Sequence, residues 1–266
     1  MAGRHGIVLH TEHDFKGLRA AGQLAAATLD MITPHVQPGV TTEELNQIIH
    51  DYTLAHGATP APLNYRGFPK SCCISINHVV CHGIPGEKRL QEGDIVNIDV
   101  TSILDGWYGD SSRMYPVGRI PVKAAKLIKT TYDCLMRGIE VVKPGATLGD
   151  IGHAIQTLAE GHRYSIVRDF CGHGIGRTFH SEPTVLHYGR PGHGMKLEAG
   201  MVFTIEPMLN IGRHDVKILD DGWTAVTRDR SLSAQFEHML AVTEDGYEIF
   251  TLSPAGYTCP PYTTES

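Results

Sequence analysis

The chain reads as an α+β fold built twice over, and three recurrences carry that reading. A helix-patterned stretch, a Pro-Gly turn and a second helix appear over 12–57 and again over 122–161. The turns themselves, Gln37-Pro38-Gly39-Val40-Thr41 and Lys143-Pro144-Gly145-Ala146-Thr147, lie 106 residues apart. A strand that ends in an acid, Glu92-Gly93-Asp94-Ile95-Val96-Asn97-Ile98-Asp99, returns as Ala199-Gly200-Met201-Val202-Phe203-Thr204-Ile205-Glu206, 107 residues later. Asp105-Gly106-Trp107 recurs as Asp221-Gly222-Trp223. Each dipeptide alone is common punctuation, but near-equal offsets in one order argue against coincidence. Helix pairs followed by strand–turn–strand units predict helices packed on antiparallel sheet. No Pro/Ser-rich linker divides the halves, so residues 1–266 are expected to form one domain with halves of about 10–117 and 118–253.

The elements follow in order. Over 12–33, Leu18, Ala21, Ala25, Leu29 and Ile32 recur at helical spacing. Thr41 with Glu44 makes a capping box for a second helix carrying Leu45, Ile48, Ile49 and Tyr52, and Gly57 supplies its stop. The apolar run closed by Asp99 leads to Asp105-Gly106, a hairpin signal. In the second half Leu127, Ile128, Leu135, Ile139 and Val142 mark one helix. Leu148, Ile151, Ile155 and Leu158 mark the next, ending near Gly161. His238-Met239-Leu240-Ala241-Val242 reads as a buried strand.

Composition narrows the function classes. A hydrophobic content of 41% and a charged content of 20% describe an ordinary globular protein. A net charge of −6, with no Lys/Arg stripe, argues against nucleic acid as a partner. No run is long enough to cross a membrane, and Met1-Ala2-Gly3-Arg4-His5-Gly6 lacks the apolar core of a secretory signal. The six cysteines form no Cys-x-x-Cys pair and read as reduced thiols, so the protein is expected in the cytoplasm, as a monomer. Most of the 16 histidines, His5, His10, His13 and His56 among them, have no motif around them and are expected at the surface.

Five side chains stand apart. Asp99 and Glu206 close apolar strands, Asp110 follows the Asp105-Gly106 turn, and Glu237 precedes the 238–242 strand. His173 stands in Cys171-Gly172-His173-Gly174-Ile175-Gly176. An unpartnered carboxylate in a low-dielectric site is strongly destabilising, and no matching set of lysines or arginines lies beside these acids. A pair of divalent cations fits best. Pairing about Asp105-Gly106 sets Asp99 opposite Ser112 and Asp110 opposite Thr101, on one sheet face, as diagonal neighbours about 7–8 Å apart. Glu206 and Glu237 are equidistant from Asp221-Gly222, so a second hairpin gives them matching parity. Oxygen-rich donors with one imidazole suit Mn²⁺, Fe²⁺, Co²⁺ or Zn²⁺ and disfavour a thiolate-type zinc site. Two such ions about 3.5–4 Å apart can hold a bridging hydroxide and polarise a carbonyl.

Longer segments sharpen the picture: Asn77-His78-Val79-Val80-Cys81-His82-Gly83-Ile84-Pro85, Gly93 to Asp99, Asp105 to Asp110, Cys171 to His180, and Ser231 to His238. Through these, and over about residues 8–253, the chain resembles the type I methionine aminopeptidases, of the pita-bread (creatinase/aminopeptidase-like) fold. The 31-residue interval from Glu206 to Glu237 resembles type I, since type II relatives carry a long helical insertion there. The absence of an amino-terminal zinc-finger extension resembles the plain bacterial form. The resemblance implies that Asp99 chelates one metal, that Asp110 and Glu237 bridge two, and that His173 and Glu206 hold the other. It implies that His82 contacts the scissile amide, that His180 donates to the carbonyl oxygen as it becomes an oxyanion, and that Glu206 shuttles the proton. On spacing alone those two histidines would read as structural. It further implies a methionine side-chain pocket of Tyr65, Phe68, Cys73, Phe179 and Trp223, which spacing alone would assign to the core. Pro62 stands where some relatives carry cysteine, which leaves the outline of the pocket edge open.

The expected reaction is removal of an amino-terminal methionine before a small residue, by hydroxide attack at a dinuclear centre. The expected partners are nascent amino termini, with transient contact to the ribosome. The Met1-Ala2 start would itself be a substrate. Two other readings stand beside this one: a prolidase or aminopeptidase P acting on Xaa-Pro bonds, and a non-catalytic binding module of the same fold. A dinucleotide reading of Gly172-His173-Gly174-Ile175-Gly176 fails, because the spacing is not G-x-G-x-x-G.

Overall fold

A computed structural model describes residues 6–262. Met1-Ala2 and His5 lie outside the described residues. The first half opens with helix α1 (Glu12–Ile32), followed by α2 (Thr42–Ala55) and the short strand β1 (Thr59–Pro60). Strands β2 (Cys73–Ile76), β3 (Val79–Cys81), β4 (Ile95–Leu104) and β5 (Trp107–Pro116) complete it. The second half repeats the helix pair as α3 (Val122–Glu140) and α4 (Leu148–Gly161). Then come β6 (Ser165–Ile166), β7 (Gly172–Gly174), β8 (Ser181–Val185) and β9 (Val202–Ile205). Strands β10 (Met208–Asn210), β11 (Val216–Ile218), β12 (Ala225–Thr227) and β13 (Ser233–Gln235) follow. The chain closes with β14 (His238–Val242) and β15 (Tyr247–Ile249).

The helices start where their side chains satisfy the free N–H groups of the first turn. Thr11, Thr41 and Thr147 each accept from the backbone of the third helical residue, and Asp14, Glu44 and Asp150 reach back to the cap. Only the Thr41–Glu44 box was read from the sequence; the other two have Asp as the third helical residue, a less regular partner than Glu. Gly57, at φ 72°, follows α2 in the left-handed conformation of a helix stop.

The repeats in sequence reappear as matching backbone hydrogen bonds. Gly39 N–H donates to Leu90 O and Gly145 N–H to Leu197 O, at 2.8 and 2.9 Å. Gly93 N–H donates to Val117 O and Gly200 N–H to Val242 O, both at 2.9 Å. Both strand-leading glycines have φ 93°, which only glycine adopts without strain.

Antiparallel pairing organises each half. β4 is central to one sheet, between β2 and β5, and β9 lies between β7 and β14 in the other. Helix α1 packs close on the first sheet: a Cβ at Gly109 of β5 would collide with the backbone of Ala21 and Gly22. Ala25, Leu29, Ile32, Val96, Ile98 and Tyr115 form the core there, and Leu127, Leu135, Ile155, Phe203, Ile205 and Leu240 form its counterpart. Arg113 and Asp30 make a buried ion pair between β5 and α1, and Asp30 also accepts from Ser253 Oγ and Ala255 N–H. His10 departs from expectation. It is half-buried against Trp107, 5.8 Å between ring centroids, because the edge of the indole offers an apolar seat.

Two stability predictions follow from these contacts. Arg113→Ala should cost about 3–5 kcal/mol in denaturant unfolding, because it leaves the Asp30 carboxylate without its charge partner. Thr147→Ala should cost about 1 kcal/mol near neutral pH. The Asp150 carboxyl is held below its ordinary value of 3.8 by the Gly192 and Thr147 N–H donors. Its folded-state value is depressed, so its stabilisation is complete above the unfolded value and lost as pH falls through the folded one. The Thr147 hydroxyl also donates to Asp150 Oδ2, at 2.8 Å, and the substitution removes that charge-assisted bond, so the Thr147→Ala deficit should shrink in acid, as urea titrations at neutral and low pH would show.

Candidate metal centre and substrate cavity

Strand register brings the acids together. In the β4–β5 ladder Asp99 faces Ser112 and Thr101 faces Asp110, the pairing expected from the Asp105-Gly106 turn. The second hairpin is longer and bends through three sheets, yet its register does not slip. Val216 faces Thr227, Met208 faces Gln235 and Ile205 faces His238, all symmetric about the Asp221–Gly222 bond. Glu206 and Glu237 occupy the bend between β9 and β10 and between β13 and β14. Glu237 N–H donates to Ser112 O at 3.1 Å, which ties the two hairpins together beside the Asp99–Ser112 pair.

His173 arrives on β7, whose glycines let it approach. A Cβ at Gly172 would strike the Thr204 carbonyl, and one at Gly174 the Glu182 carbonyl. His173 N–H donates to Thr204 Oγ1 at 3.0 Å, and that hydroxyl donates to Glu206 Oε1 at 2.9 Å. His173 Nε2 lies 3.6 Å from both Asp110 Oδ2 and Glu206 Oε1. Ligand atoms of Asp110, His173 and Glu237 all fall within 4.8 Å of one another. Asp99 lines the same cavity.

Burial and mutual repulsion leave the acids short of countercharge. Burial pushes the Asp99 carboxyl up to about 7. Burial first, and then the charge of neighbouring acids, pushes Asp110, Glu206 and Glu237 well above the usual carboxylate range. Burial lowers the His173 imidazole to about 4, so it stands as a neutral nitrogen donor. Thr101 Oγ1 donates to Asp110 Oδ1 at 2.7 Å and Gln235 Nε2 to Glu206 Oε2 at 3.2 Å, which orients two acids without neutralising them. Among the described residues the cavity lining includes one Lys/Arg side chain, exposed Arg66. Four convergent carboxylates and a neutral imidazole therefore fit a divalent metal ion.

All of the residues singled out from sequence line one cavity of about 570 Å³. Tyr65, Phe68, Cys73, Phe179 and Trp223 form its apolar wall, with Phe68 and Trp223 edge to face at 5.2 Å and Pro62 beside them. His82 follows the end of β2 by six residues and His180 follows the end of β7 by six. His82 takes a left-handed backbone, φ 57°, and its ring meets Phe170 at 5.2 Å. His180 is exposed and accepts or donates at Nδ1 with the Tyr65 hydroxyl, 2.9 Å away. Partial desolvation, then His173, Arg66 and His82, lower its pKa.

Sequence reasoning missed Thr204, Gln235, Phe170 and His187. Thr204 was within reach, because a residue two before Glu206 on a strand shares its face. Gln235 has the same relation to Glu237. Nothing local marks Phe170, or the buried His187 whose Nε2 accepts the Glu206 N–H at 3.0 Å.

Comparison with known proteins agrees with this geometry. The model of metallopeptidase family M24 matches residues 16–244. A methionine aminopeptidase of Rickettsia prowazekii is 63% identical over 257 residues, 96% of this chain and 99% of that protein. The crystal structure of methionine aminopeptidase from Rickettsia prowazekii superposes with a TM-score of 0.92 at 64% identity, covering 92% of this chain and 100% of that one. An Xaa-Pro dipeptidase from Bacillus anthracis shares the fold, with a TM-score of 0.74 at 24% identity, covering 92% of this chain and 62% of that one. No helix among the described residues is long and apolar enough to cross a membrane. The chain belongs to metallopeptidase family M24, within its methionine aminopeptidases.

Proposed function

We propose that this chain, a metal-dependent hydrolase, removes the amino-terminal methionine of nascent polypeptides whose second residue is small, in the cytoplasm. One observation carries the reading: a five-donor cluster shares a cavity with an aromatic and thiol-lined wall. Asp99, Asp110, His173, Glu206 and Glu237 would hold two divalent ions of iron, manganese, cobalt or zinc. Those ions supply Lewis acidity toward the scissile carbonyl and acidify the attacking water. Glu206 accepts the proton released by water and returns it to the leaving amine, a role supported by its position in the cavity among the acids. His180 donates a hydrogen bond to the carbonyl oxygen as negative charge develops there. His82 contacts the scissile amide. Tyr65, Phe68, Cys73, Phe179 and Trp223 enclose the unbranched thioether, for which a polarizable, apolar wall is suited. The matching hydrogen bonds of the two helix–strand units support reading the chain as one domain of duplicated halves, about 10–117 and 118–253.

Protein with quantified bound metal should cleave Met-Ala-Ser and leave Xaa-Pro peptides intact; the opposite preference would transfer the chain to the prolidase branch. Chelation should abolish turnover and re-addition of one of the four metals restore it. Glu206→Gln and His180→Ala should each lower kcat by roughly 10²-fold or more while the thermal midpoint moves little. Near-normal turnover in either folded variant would remove that residue from its role.

A further inference from the structure

Tyr65 does more than wall the cavity. Its hydroxyl lies 2.9 Å from His180 Nδ1, and its ring packs on Phe179 at 4.9 Å. Phe179 in turn stacks on the His180 imidazole at 4.0 Å. The three rings hold one another, so the O–H···N contact has little freedom to turn away.

The direction of that hydrogen bond follows from chemistry. A phenol, with a pKa near 10, is a far better donor than a neutral imidazole N–H, and an imidazole nitrogen is the better acceptor. Tyr65 Oη–H therefore donates to Nδ1. A neutral imidazole carries one proton, so accepting at Nδ1 places it on Nε2.

The backbone around Tyr65 is built for that pose. Asn64 and Arg66, on either side, both take the left-handed conformation at φ 65° and 48°, which is uncommon for residues other than glycine. Tyr65 N–H donates to Pro62 O and Phe68 N–H to Tyr65 O, each at 2.9 Å, closing the turn around it. A strained turn held by such bonds is the kind of segment that fixes a functional side chain.

We infer that Tyr65 is a positioning residue that locks His180 in the Nε2–H tautomer, the form able to donate a hydrogen bond to a substrate carbonyl oxygen. The inference rests on the role proposed above for His180. The other tautomer would present a lone pair at Nε2 and repel the developing oxyanion. Tyr65 acts through His180 and moves no proton of its own in the reaction.

Tyr65→Phe tests this, since it keeps the ring against Phe179 and removes only the hydroxyl. Zinc-loaded full-length protein is diamagnetic, so the histidine nitrogens can be followed by NMR with and without the substitution. In the parent protein His180 should show a bare Nδ1 and a protonated Nε2; Tyr65→Phe should turn this into a mixture. With Met-Ala-Ser, kcat should fall about tenfold while KM changes less than about twofold, the signature of an interaction made in the transition state. A parent His180 protonated at Nδ1, or tautomer populations unchanged by Tyr65→Phe, would overturn the inference. The NMR readout stands whether or not the peptide is cleaved. Failure of the parent protein to cleave Met-Ala-Ser would count against the aminopeptidase reading instead.

Discussion

Crowding four carboxylates into a buried site is the constraint around which this molecule is arranged. Like charges at this separation and depth repel, and burial penalises each charge separately, so Asp99, Asp110, Glu206 and Glu237 are all driven toward their protonated forms. Only a scaffold stable in its own right can hold them in place. The two antiparallel hairpins do so through backbone hydrogen bonds that owe nothing to the acids, and the Glu237–Ser112 bond joins one hairpin to the other.

Around that cluster the neighbouring polar groups orient rather than neutralise. Thr101, Thr204 and Gln235 each donate to a carboxylate oxygen and fix its direction, leaving the charge for a cation. The buried ion pair of Arg113 with Asp30 joins α1 to β5, and neither residue lines the cavity. The separation keeps fold stability and metal chemistry on different residues. The Gly172 and Gly174 backbones press against carbonyls, so the approach of His173 to its partners depends on the missing Cβ volume.

The cavity wall follows a second logic. Its rings come from three segments far apart in the chain, the Tyr65–Phe68 turn and the loops that carry Phe179 and Trp223, so no single element carries a recognisable pocket motif. Phe170 belongs to the same wall and went unread for that reason. His187 is a related case, buried and capping the Glu206 N–H with nothing in its neighbourhood to announce it. His10 errs the other way: a histidine with no motif still found the edge of an indole.

What the sequence determined by itself was local and periodic. Helix extents followed from 3.6-residue spacing, with a capping box marking the start of α2, and the Asp99–Ser112 and Thr101–Asp110 pairings followed from one Asp-Gly turn and the two-residue alternation of strands. Even the long second hairpin obeyed its turn, since a uniform register survived passage through three sheets. Tertiary structure alone decided which faces met. The tie of Glu237 to Ser112, the seating of His173 against Thr204 and the hydrogen bond from Tyr65 to His180 join residues 31 to 125 positions apart. Such contacts have no period in the chain. They are set by how the sheets and their helices close on one another, which is a property of packing and not of any segment.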